Sequence, residues 1–377
     1  MQDEYGVLTN HGHQARILEA DNDHIHGFVT QIQTAFSAAY SPSSRRRMAG
    51  AIADFRPDIV HVHNFFPVFS PSIYYACNEA GVPVVQTLHN YRLLCPSSIL
   101  FRDGHVCEDC LGRAFAWPGV LHGCYRDSHL GTAAVAAMTS IHRALRTYEH
   151  RVQVLIALTE FSRRKLIEGG FCAGNIVVKP PFVDVDPGLG HGQGGYALFV
   201  GRLSEEKGVL VLLKAWRALS RQIPLRIVGA GVLAERVRSE ANAIPGVEYL
   251  GLRSRAEVNE LMQRATTLIF PSLWYEGVPR TILESFATGT PVIASRMGAM
   301  ESLVEHRRFG LLFEPGNVDA LIAEVNWMLS RPEEWQSMRQ LARAEYETKY
   351  DAERSYQSMT RIYEKVLSHS SSSTTRD

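Results

Sequence analysis

Short apolar runs rich in β-branched residues recur along the chain, and each is followed by a polar turn and then by a helical pattern. They lie at 58–63, 82–88 and 154–158 in the first half and at 196–200, 225–228, 247–250, 268–270 and 291–295 in the second. Apolar residues in these runs are continuous rather than alternating, which is typical of strands buried on both faces. The pattern therefore predicts an α/β protein whose parallel sheets are covered by helices.

A glycine-rich segment, 184–195, separates the two series of runs. It contains five glycines and a proline, so it cannot continue a helix or a strand. The chain length also favours two domains. We expect a first domain over 1–186 and a second over 187–350. A C-terminal helix at about 351–367 should pack back onto the first domain, followed by a disordered tail over 368–377.

Charge and composition exclude several classes of partner. Lys+Arg and Asp+Glu are equal at 39 each, so no net field attracts nucleic acid, and none is expected as a partner. A basic run at 45–47 is either a solvated segment or a contact for lipid phosphate. No apolar stretch reaches the roughly 18 residues of a membrane span. We expect a cytoplasmic protein, with peripheral contact at the inner membrane face left open.

A first polar cluster follows the strand predicted at 196–200. Arg202 comes directly after the strand, at the edge where parallel sheets bind ligands, and Ser204 is a candidate N-cap with Lys207 three residues later. Two cations beside a helix N-terminus favour binding of a diphosphate. An exposed charged turn without a ligand accounts for the same residues, so this motif alone leaves the choice open.

A second cluster follows the fourth apolar run of the second half. Glu276 lies in the loop after the strand, Pro279 suits the first helical position, and Glu284 lies further along the same helix. Gly277 lets the backbone approach a ligand and offer its amides. Because the carboxyl ends of parallel strands share one edge, we expect Glu276 near Arg202, in a site for a polyhydroxylated ligand beside its phosphates. The alternative is a helix-start glutamate favoured by the dipole, plus a surface glutamate.

Together the two clusters resemble the retaining glycosyltransferases with the GT-B fold, the group similar to glycosyltransferase family 4. The shared pattern is Gly-Arg-Leu…Glu-Lys-Gly at 201–208, followed by Glu, seven residues and Glu at 276–284, and the resemblance covers 4–367. It implies two Rossmann-like domains facing each other across a cleft. It also implies transfer of a sugar from a nucleoside-diphosphate sugar to a hydroxyl of a glycan, a lipid-linked or a small-molecule acceptor, with retention of configuration, as in polysaccharide biosynthesis.

The resemblance assigns roles to individual residues. Arg202 and Lys207 would bind the donor diphosphate in place of a metal, so catalysis would require no cofactor. Glu284 would bind the ribose hydroxyls, and Glu276 would be a catalytic residue beside the donor sugar, near the reacting carbon. The remaining donor-binding positions are Gly201, Gly277, Val278 and, near the base, Gly251.

Histidines mark the ends of two strands in the first domain. His89 follows the strand predicted at 82–88, and by resemblance it is a catalytic residue facing the donor sugar; a structural histidine is the alternative. His61 and His63 lie on one face of a strand and form a candidate metal pair. Because no third ligand is near them in the sequence, we favour a cleft-lining or structural role.

A competing motif is Gly229-Ala230-Gly231, with Glu248 nineteen residues after the first glycine. It imitates the dinucleotide fingerprint of an NAD-linked oxidoreductase. However, it follows the second strand of its domain rather than the first, and it leaves the two charged clusters unexplained.

Four cysteines lie close together in a loop-like region, with a two-residue gap between the central pair. They are a candidate structural zinc site, and free thiols or a redox pair are the alternatives. The four are Cys95, Cys107, Cys110 and Cys124.

Two departures from the family pattern bear on activity. The family's first strand and its glycine-rich turn should precede the helix that ends near Leu8, but Met1 falls inside that helix, so we expect the first domain to lack its first strand. Glu301 also lies one place earlier than the acid usual in the family. These departures keep open a catalytically inactive relative that binds nucleotide or glycan, and a GT-B nucleotide-sugar epimerase is a further alternative.

Overall fold

A computed structural model describes residues 1–19, 38–219, 221–277 and 279–373. The chain forms two compact units. The first contains 1–100, 107–180 and the segment from Ser355 onward, and the second contains 101–106 and 181–354.

The first unit is a parallel sheet with helices around it. Its elements are α1 (Gln2–Asn10), α2 (Pro42–Phe55), β1 (Val60–Val62), α3 (Ser72–Glu79), β2 (Val84–Leu88), α4 (Trp117–Leu121), α5 (His129–Ala144), α6 (Thr147–His150), β5 (Val154–Ala157), α7 (Glu160–Glu168), β6 (Ile176–Val178) and α15 (Ala352–Ser373). The strand order is β1-β2-β5-β6, and every pairing is parallel. Val85, Ile156 and Val366 pack together, which places α15 on this sheet.

Side-chain caps fix the start of several helices. Ser41 accepts a hydrogen bond from the amide of Ser44 before α2, and Thr159 accepts one from the amide of Ser162 before α7. Each hydroxyl satisfies an amide that the first turn of a helix leaves without a partner.

The second unit contains a larger parallel sheet than the first, with six strands rather than four. Its elements are β3 (Phe101–Arg102), β4 (His105–Val106), β7 (Ala197–Val200), α8 (Val209–Leu219), β8 (Leu225–Val228), α9 (Ala234–Asn242), β9 (Val247–Gly251), α10 (Arg255–Arg264), β10 (Thr267–Phe270), α11 (Arg280–Ala287), β11 (Val292–Ser295), α12 (Ala299–Leu303), β12 (Gly310–Phe313), α13 (Val318–Leu329) and α14 (Pro332–Lys349). Six parallel strands follow the order β9-β8-β7-β10-β11-β12. This is the Rossmann order, and its direction reverses between β7 and β10, where such sheets bind ligands.

Both faces of the second sheet are covered by apolar side chains of helices. Trp216 of α8 and Val325 of α13 belong to one core, and Phe286 of α11 and Tyr346 of α14 belong to the other. The prediction of parallel sheets between helices is therefore confirmed.

Some predicted boundaries differ from the structure. The glycine-rich segment is packed against the second unit, because the amide of Gly190 donates to the carbonyl of Thr288 and Arg339 donates to the carbonyl of Gly190. Helix α15 continues to Ser373, so 368–373 are helical rather than a disordered tail. No glycine or proline interrupts this serine-rich stretch, and a helix propagates through residues that merely lack strong preferences.

Candidate functional site

Two loops of the second unit meet at the point where the strand order reverses. The first follows β7 and carries Lys207, and the second follows β10 and carries Glu276. Nζ of Lys207 lies 2.8 Å from Oε1 and 3.0 Å from Oε2 of Glu276. The structure thus brings together two residues that are 69 positions apart in the sequence.

The carboxylate of Glu276 is buried, with 3% of its side chain exposed, and it receives further hydrogen bonds. Ser272 Oγ donates to Oε1 at 2.5 Å and Trp274 Nε1 donates to the same oxygen at 2.9 Å. The ammonium of Lys207 also lies 5.3 Å from the centre of the Trp274 ring, within range of a cation–π contact. Neither Ser272 nor Trp274 was predicted from the sequence, although both lie in the same loop as the glutamate.

Arg202 remains exposed beside this cluster, with Nη2 3.4 Å from Oε1 of Glu206. The predicted cap at Ser204 is wrong: its hydroxyl donates to Glu206 at 2.6 Å, and no side-chain cap bond forms. Lys207 ends a short 3-10 turn, and α8 begins only at Val209. Gly208, in the left-handed conformation with a φ of 70°, ends this turn before α8 begins.

Backbone packing joins the loops at this edge. Gly229 and Gly231 have positive φ, and a Cβ at either would collide with the carbonyl oxygen of Gly201 or Leu203, respectively. The loop after β8 can therefore lie directly on the loop after β7. This contact explains both glycines of the apparent dinucleotide motif without a bound NAD. Gly251, at the end of β9, accepts a hydrogen bond at its carbonyl from the amide of Gly229 at 2.9 Å.

The remaining predicted residues of this unit lie on or before α11. Gly277 lies in the preceding loop, and Val278 is outside the described residues. Pro279 is the N-cap rather than the first helical residue. Glu284 lies in the second turn of α11, where it is half-buried. Within the described part of the chain, its carboxylate has no hydrogen-bond partner, which leaves it available to a ligand.

The first unit contains a separate buried polar cluster. Lys179, which follows β6 and is 2% exposed, places Nζ 3.0 Å from Oε1 of Glu4 in α1. Oε2 of Glu4 lies 3.2 Å from Nε2 of His63, and Nδ1 of His63 lies 2.9 Å from Nε2 of His89. The contacts thus run continuously from Lys179 to His89, which follows β2.

Electrostatics define the charges of this cluster. Burial raises the pKa of Glu4, but the charges of Lys179 and the two nearby histidines outweigh it and lower that pKa to about 2. Burial lowers the pKa of His61 to about 4 and that of His63 to about 2. At neutral pH the cluster therefore contains an ionised Glu4 and two neutral imidazoles.

His61 is held by hydroxyl groups. Its Nδ1 lies 2.7 Å from the hydroxyl of Tyr363 in α15, and its Nε2 lies 2.8 Å from Oγ1 of Thr87 in β2. Of the described side chains, Glu4, His61 and His63 bring their ligand atoms within 4.8 Å of one another. Sequence analysis found no third ligand for the histidine pair because Glu4 is far away along the chain and reaches it only through the docking of α1.

The four cysteines gather around Cys110 without forming such a group among the residues that the structure describes. Burial, reinforced by the thiols of Cys95, Cys124 and Cys107, raises the pKa of Cys110 to about 11. Cys95 also lies 3.1 Å from the hydroxyl of Ser97. The structural zinc site therefore stays a prediction.

The guanidinium groups of the basic run at 45–47 contact other groups of the protein. Arg45 pairs with Glu79 at 2.5 Å, and Arg47 donates to the carbonyl of Glu19 at 2.6 Å. These contacts favour the interpretation as an ordinary surface segment. In the described ranges, no helix has both the length and the apolarity needed to cross a membrane.

The order of the strands and the Lys207–Glu276 cluster, at the switch point between β7 and β10 where that order reverses, define a two-unit protein of the GT-B class. Comparisons with known families agree with this class. Residues 5–187 match the family model "Glycosyltransferase Family 4", and residues 189–345 match "Glycosyl transferases group 1". The chain belongs to the family-4-like glycosyltransferases with the GT-B fold. The family and the GT-B fold predicted from the motifs are confirmed, and retention of configuration stays a prediction.

Individual relatives are distant. The amylovoran biosynthesis glycosyltransferase AmsK of Erwinia amylovora is 27% identical over 45% of this chain, and the match spans 44% of that relative. Glycogen synthase of Mycobacterium tuberculosis is 26% identical over 81% of this chain and 68% of its own length. The chain thus matches less than half the length of the Erwinia protein.

Solved structures share the fold at low identity. Anabaena HepE in complex with UDP has a TM-score of 0.65 at 17% identity, covering 85% of this chain and 82% of HepE. Sucrose-phosphate synthase of Thermosynechococcus elongatus has a TM-score of 0.71 at 14% identity, covering 98% and 94%. These likenesses show the GT-B architecture.

Proposed function

We propose that the chain transfers a sugar from a nucleoside-diphosphate sugar to a hydroxyl acceptor, with retention at the anomeric carbon. The observation that carries this proposal is the Lys207–Glu276 pair at the switch point of a Rossmann-ordered sheet, beside the exposed Arg202. Ligands bind at this point in open parallel sheets. Retention is supported by the resemblance of the two motifs to the retaining group.

The donor diphosphate would bind between the cations of the loop after β7. Arg202 and Lys207 would neutralise the charge that develops on the leaving diphosphate, a role that a divalent metal fills in other enzymes. Catalysis would then need no metal. Glu284 would accept hydrogen bonds from the ribose hydroxyls, because its half-buried carboxylate has no protein partner within the described residues.

Glu276 would act beside the donor sugar. It holds Lys207 with both oxygens, so a diphosphate would have to draw the ammonium away from the carboxylate. Ser272 and Trp274 would keep the carboxylate in place during that exchange, because both donate to Oε1. The glutamate would then be positioned to stabilise positive charge near the reacting carbon, with His89 of the first unit as the second catalytic residue.

The acceptor would be a hydroxyl of a glycan, a lipid-linked or a small molecule. A membrane-associated acceptor is supported by apolar side chains exposed on the neighbouring helices α4 and α5: Trp117 is 53%, Leu121 64% and Leu130 60% exposed. Arg113 and Arg126 lie in the same region. Exposed apolar residues flanked by arginines suit peripheral contact with an anionic membrane surface.

Thermal shift with a panel of nucleotides and nucleotide sugars tests the donor site. A ligand at a hundred times its Kd should add about 2.7 kcal/mol to the apparent stability. UDP and UDP-glucose come first in the panel, because HepE has been crystallised with both. No stabilisation by any nucleoside diphosphate would refute the proposal. Stabilisation without turnover would instead identify an inactive relative that only binds the nucleotide.

A further inference from the structure

A row of buried contacts in the first unit includes one nitrogen of His89. Nε2 of His89 faces Nδ1 of His63 at 2.9 Å, and the opposite nitrogen of His63 faces Glu4 at 3.2 Å. Glu4 is itself held by Lys179 at 3.0 Å. His89 is thus connected to a fixed charge pair through a single imidazole.

The direction of each hydrogen bond follows from the charges. A neutral imidazole carries one N–H, and the carboxylate of Glu4 can only accept, so the proton of His63 belongs on Nε2. Nδ1 of His63 is then the acceptor, and the hydrogen bond to His89 must be donated by Nε2–H of His89. The opposite arrangement would point the lone pair of His63 at the carboxylate, which is electrostatically unfavourable.

A metal ion at Glu4, His61 and His63 fits this cluster less well. Both ring nitrogens of His61 lie within hydrogen-bonding distance of hydroxyls, and both of His63 face Glu4 and His89. The buried ammonium of Lys179 already neutralises Glu4 and would repel a second cation. Hydrogen bonds and one ion pair therefore account for every ring nitrogen and carboxylate oxygen that could bind a metal in this cluster.

We propose that Glu4 and His63 are positioning residues that fix His89 in the Nε2–H tautomer and in one ring orientation. This inference rests on the proposed function for its catalytic consequence, since His89 is there the residue facing the donor sugar. Its structural part, the tautomer, is independent of catalysis. The arrangement follows a general rule: an outer carboxylate orients a histidine ring and selects its tautomer.

The tautomer can be measured on the unmodified chain. We would record long-range ¹H–¹⁵N spectra of ¹⁵N-histidine-labelled protein and assign His89 from the signals lost in a His89→Gln variant. The expected spectrum of His89 has a protonated Nε2 and an unprotonated, acceptor-type Nδ1. A protonated Nδ1 with an unprotonated Nε2 would overturn the proposal.

Two substitutions of His63 test the consequence for turnover. His63→Asn can place its Oδ1 where Nδ1 was and still accept from His89, so it should retain most of the turnover. His63→Phe keeps a ring but no acceptor, and it should lower kcat about 10- to 100-fold, because small misplacements of a catalytic group cost that much. Nucleoside diphosphate affinity should stay unchanged in both, since the proposed nucleotide site lies in the second unit.

The two variants are read together with the spectrum. An unchanged kcat in His63→Phe would overturn the positioning role, and so would an equal loss in both variants when both melt like the parent chain. If His63→Phe fails to fold, the tautomer of His89 measured in the unmodified chain still confirms or overturns the proposal. If no donor is turned over at all, the proposed function fails, while the spectrum continues to test the fixed tautomer.

Discussion

Replacing Lys207 with methionine is the sharpest perturbation of the proposed donor site. The ammonium makes two charge-assisted contacts to Glu276, at 2.8 and 3.0 Å, and in the complex it would make equivalent contacts to the diphosphate. A hydrogen bond to a charged group contributes about 1.5–3 kcal/mol. The Kd for a nucleoside diphosphate should therefore rise about 10- to 150-fold.

Glu276→Gln should behave in the opposite way. The carboxylate would compete with the diphosphate for Lys207, so the weaker amide partner should leave diphosphate affinity unchanged or increase it. Turnover of the nucleotide sugar should fall sharply, because the carboxylate that we propose lies beside the sugar is lost. The reciprocal behaviour follows from the ion pair and would not follow from a site in which the two residues bind ligand independently.

Isothermal titration calorimetry at constant salt measures both effects, with UDP as the first ligand. Lys214→Met is the matched control, because Lys214 is exposed on α8, outside the loop cluster. Lys207→Met should also lower the free energy of unfolding by about 1–3 kcal/mol, since a buried carboxylate loses its cation but keeps two donors. Titrations must therefore be run well below the melting temperature. Unchanged affinity for UDP in Lys207→Met, or an equal loss of affinity in Glu276→Gln, would rule out the proposed diphosphate site.

Three further outcomes are expected. If the four cysteines bind structural zinc, protein purified without chelator should carry about one zinc per chain, and Cys107→Ser should lower the melting temperature; metal-free protein with four titratable thiols would favour the free-thiol alternative. Burial lowers the pKa of His63 from 6.5 to about 2, so the unfolded state binds a proton at a higher pH than the folded state does. The free energy of unfolding should therefore fall as the pH drops below 6.5, by about 1.4 kcal/mol per pH unit for this histidine. The melting temperature of His63→Asn should fall less steeply with pH than that of the parent chain, and identical slopes would contradict the burial of a neutral His63. In sedimentation with anionic vesicles, the double variant Leu121→Ser with Leu130→Ser should bind less than the parent chain, while Leu341→Ser, changed at an exposed residue of α14, should bind equally well. Equal binding by the parent chain and both variants would exclude α4 and α5 as a membrane-binding surface.

The sequence predicted the sheets because strands buried on both faces produce continuous apolar runs. All eight predicted runs contain strands of the structure. The strands without a predicted run are β6 and β12 of the two larger sheets and the two-residue strands β3 and β4. The approach of Glu276 to the loop after β7 was predicted as well, because both loops follow neighbouring parallel strands, although the contact is with Lys207 rather than with Arg202.

Features that depend on tertiary docking could not be predicted. Glu4 joins the histidines only because α1 docks beside β1, and nothing in its local sequence marks it as a partner. Ser204 has the residue type of a helix cap, yet Glu206 takes its hydroxyl. The segment 184–195 has the composition of a linker but bonds to the second unit. In each case local preference is overridden by a partner that is distant in the sequence or by a competing side chain.

In the proposed function, this chain turns over a nucleotide sugar at the switch point of its second unit. The most direct measurement is release of nucleoside diphosphate from a donor panel by the purified chain, with and without hydroxyl acceptors, followed by NMR of the anomeric configuration of the product. The proposed function predicts turnover of at least one donor with retention, without added divalent metal, and loss of that turnover in Glu276→Gln. Absence of turnover across the panel, or activity that survives in Glu276→Gln, would contradict it.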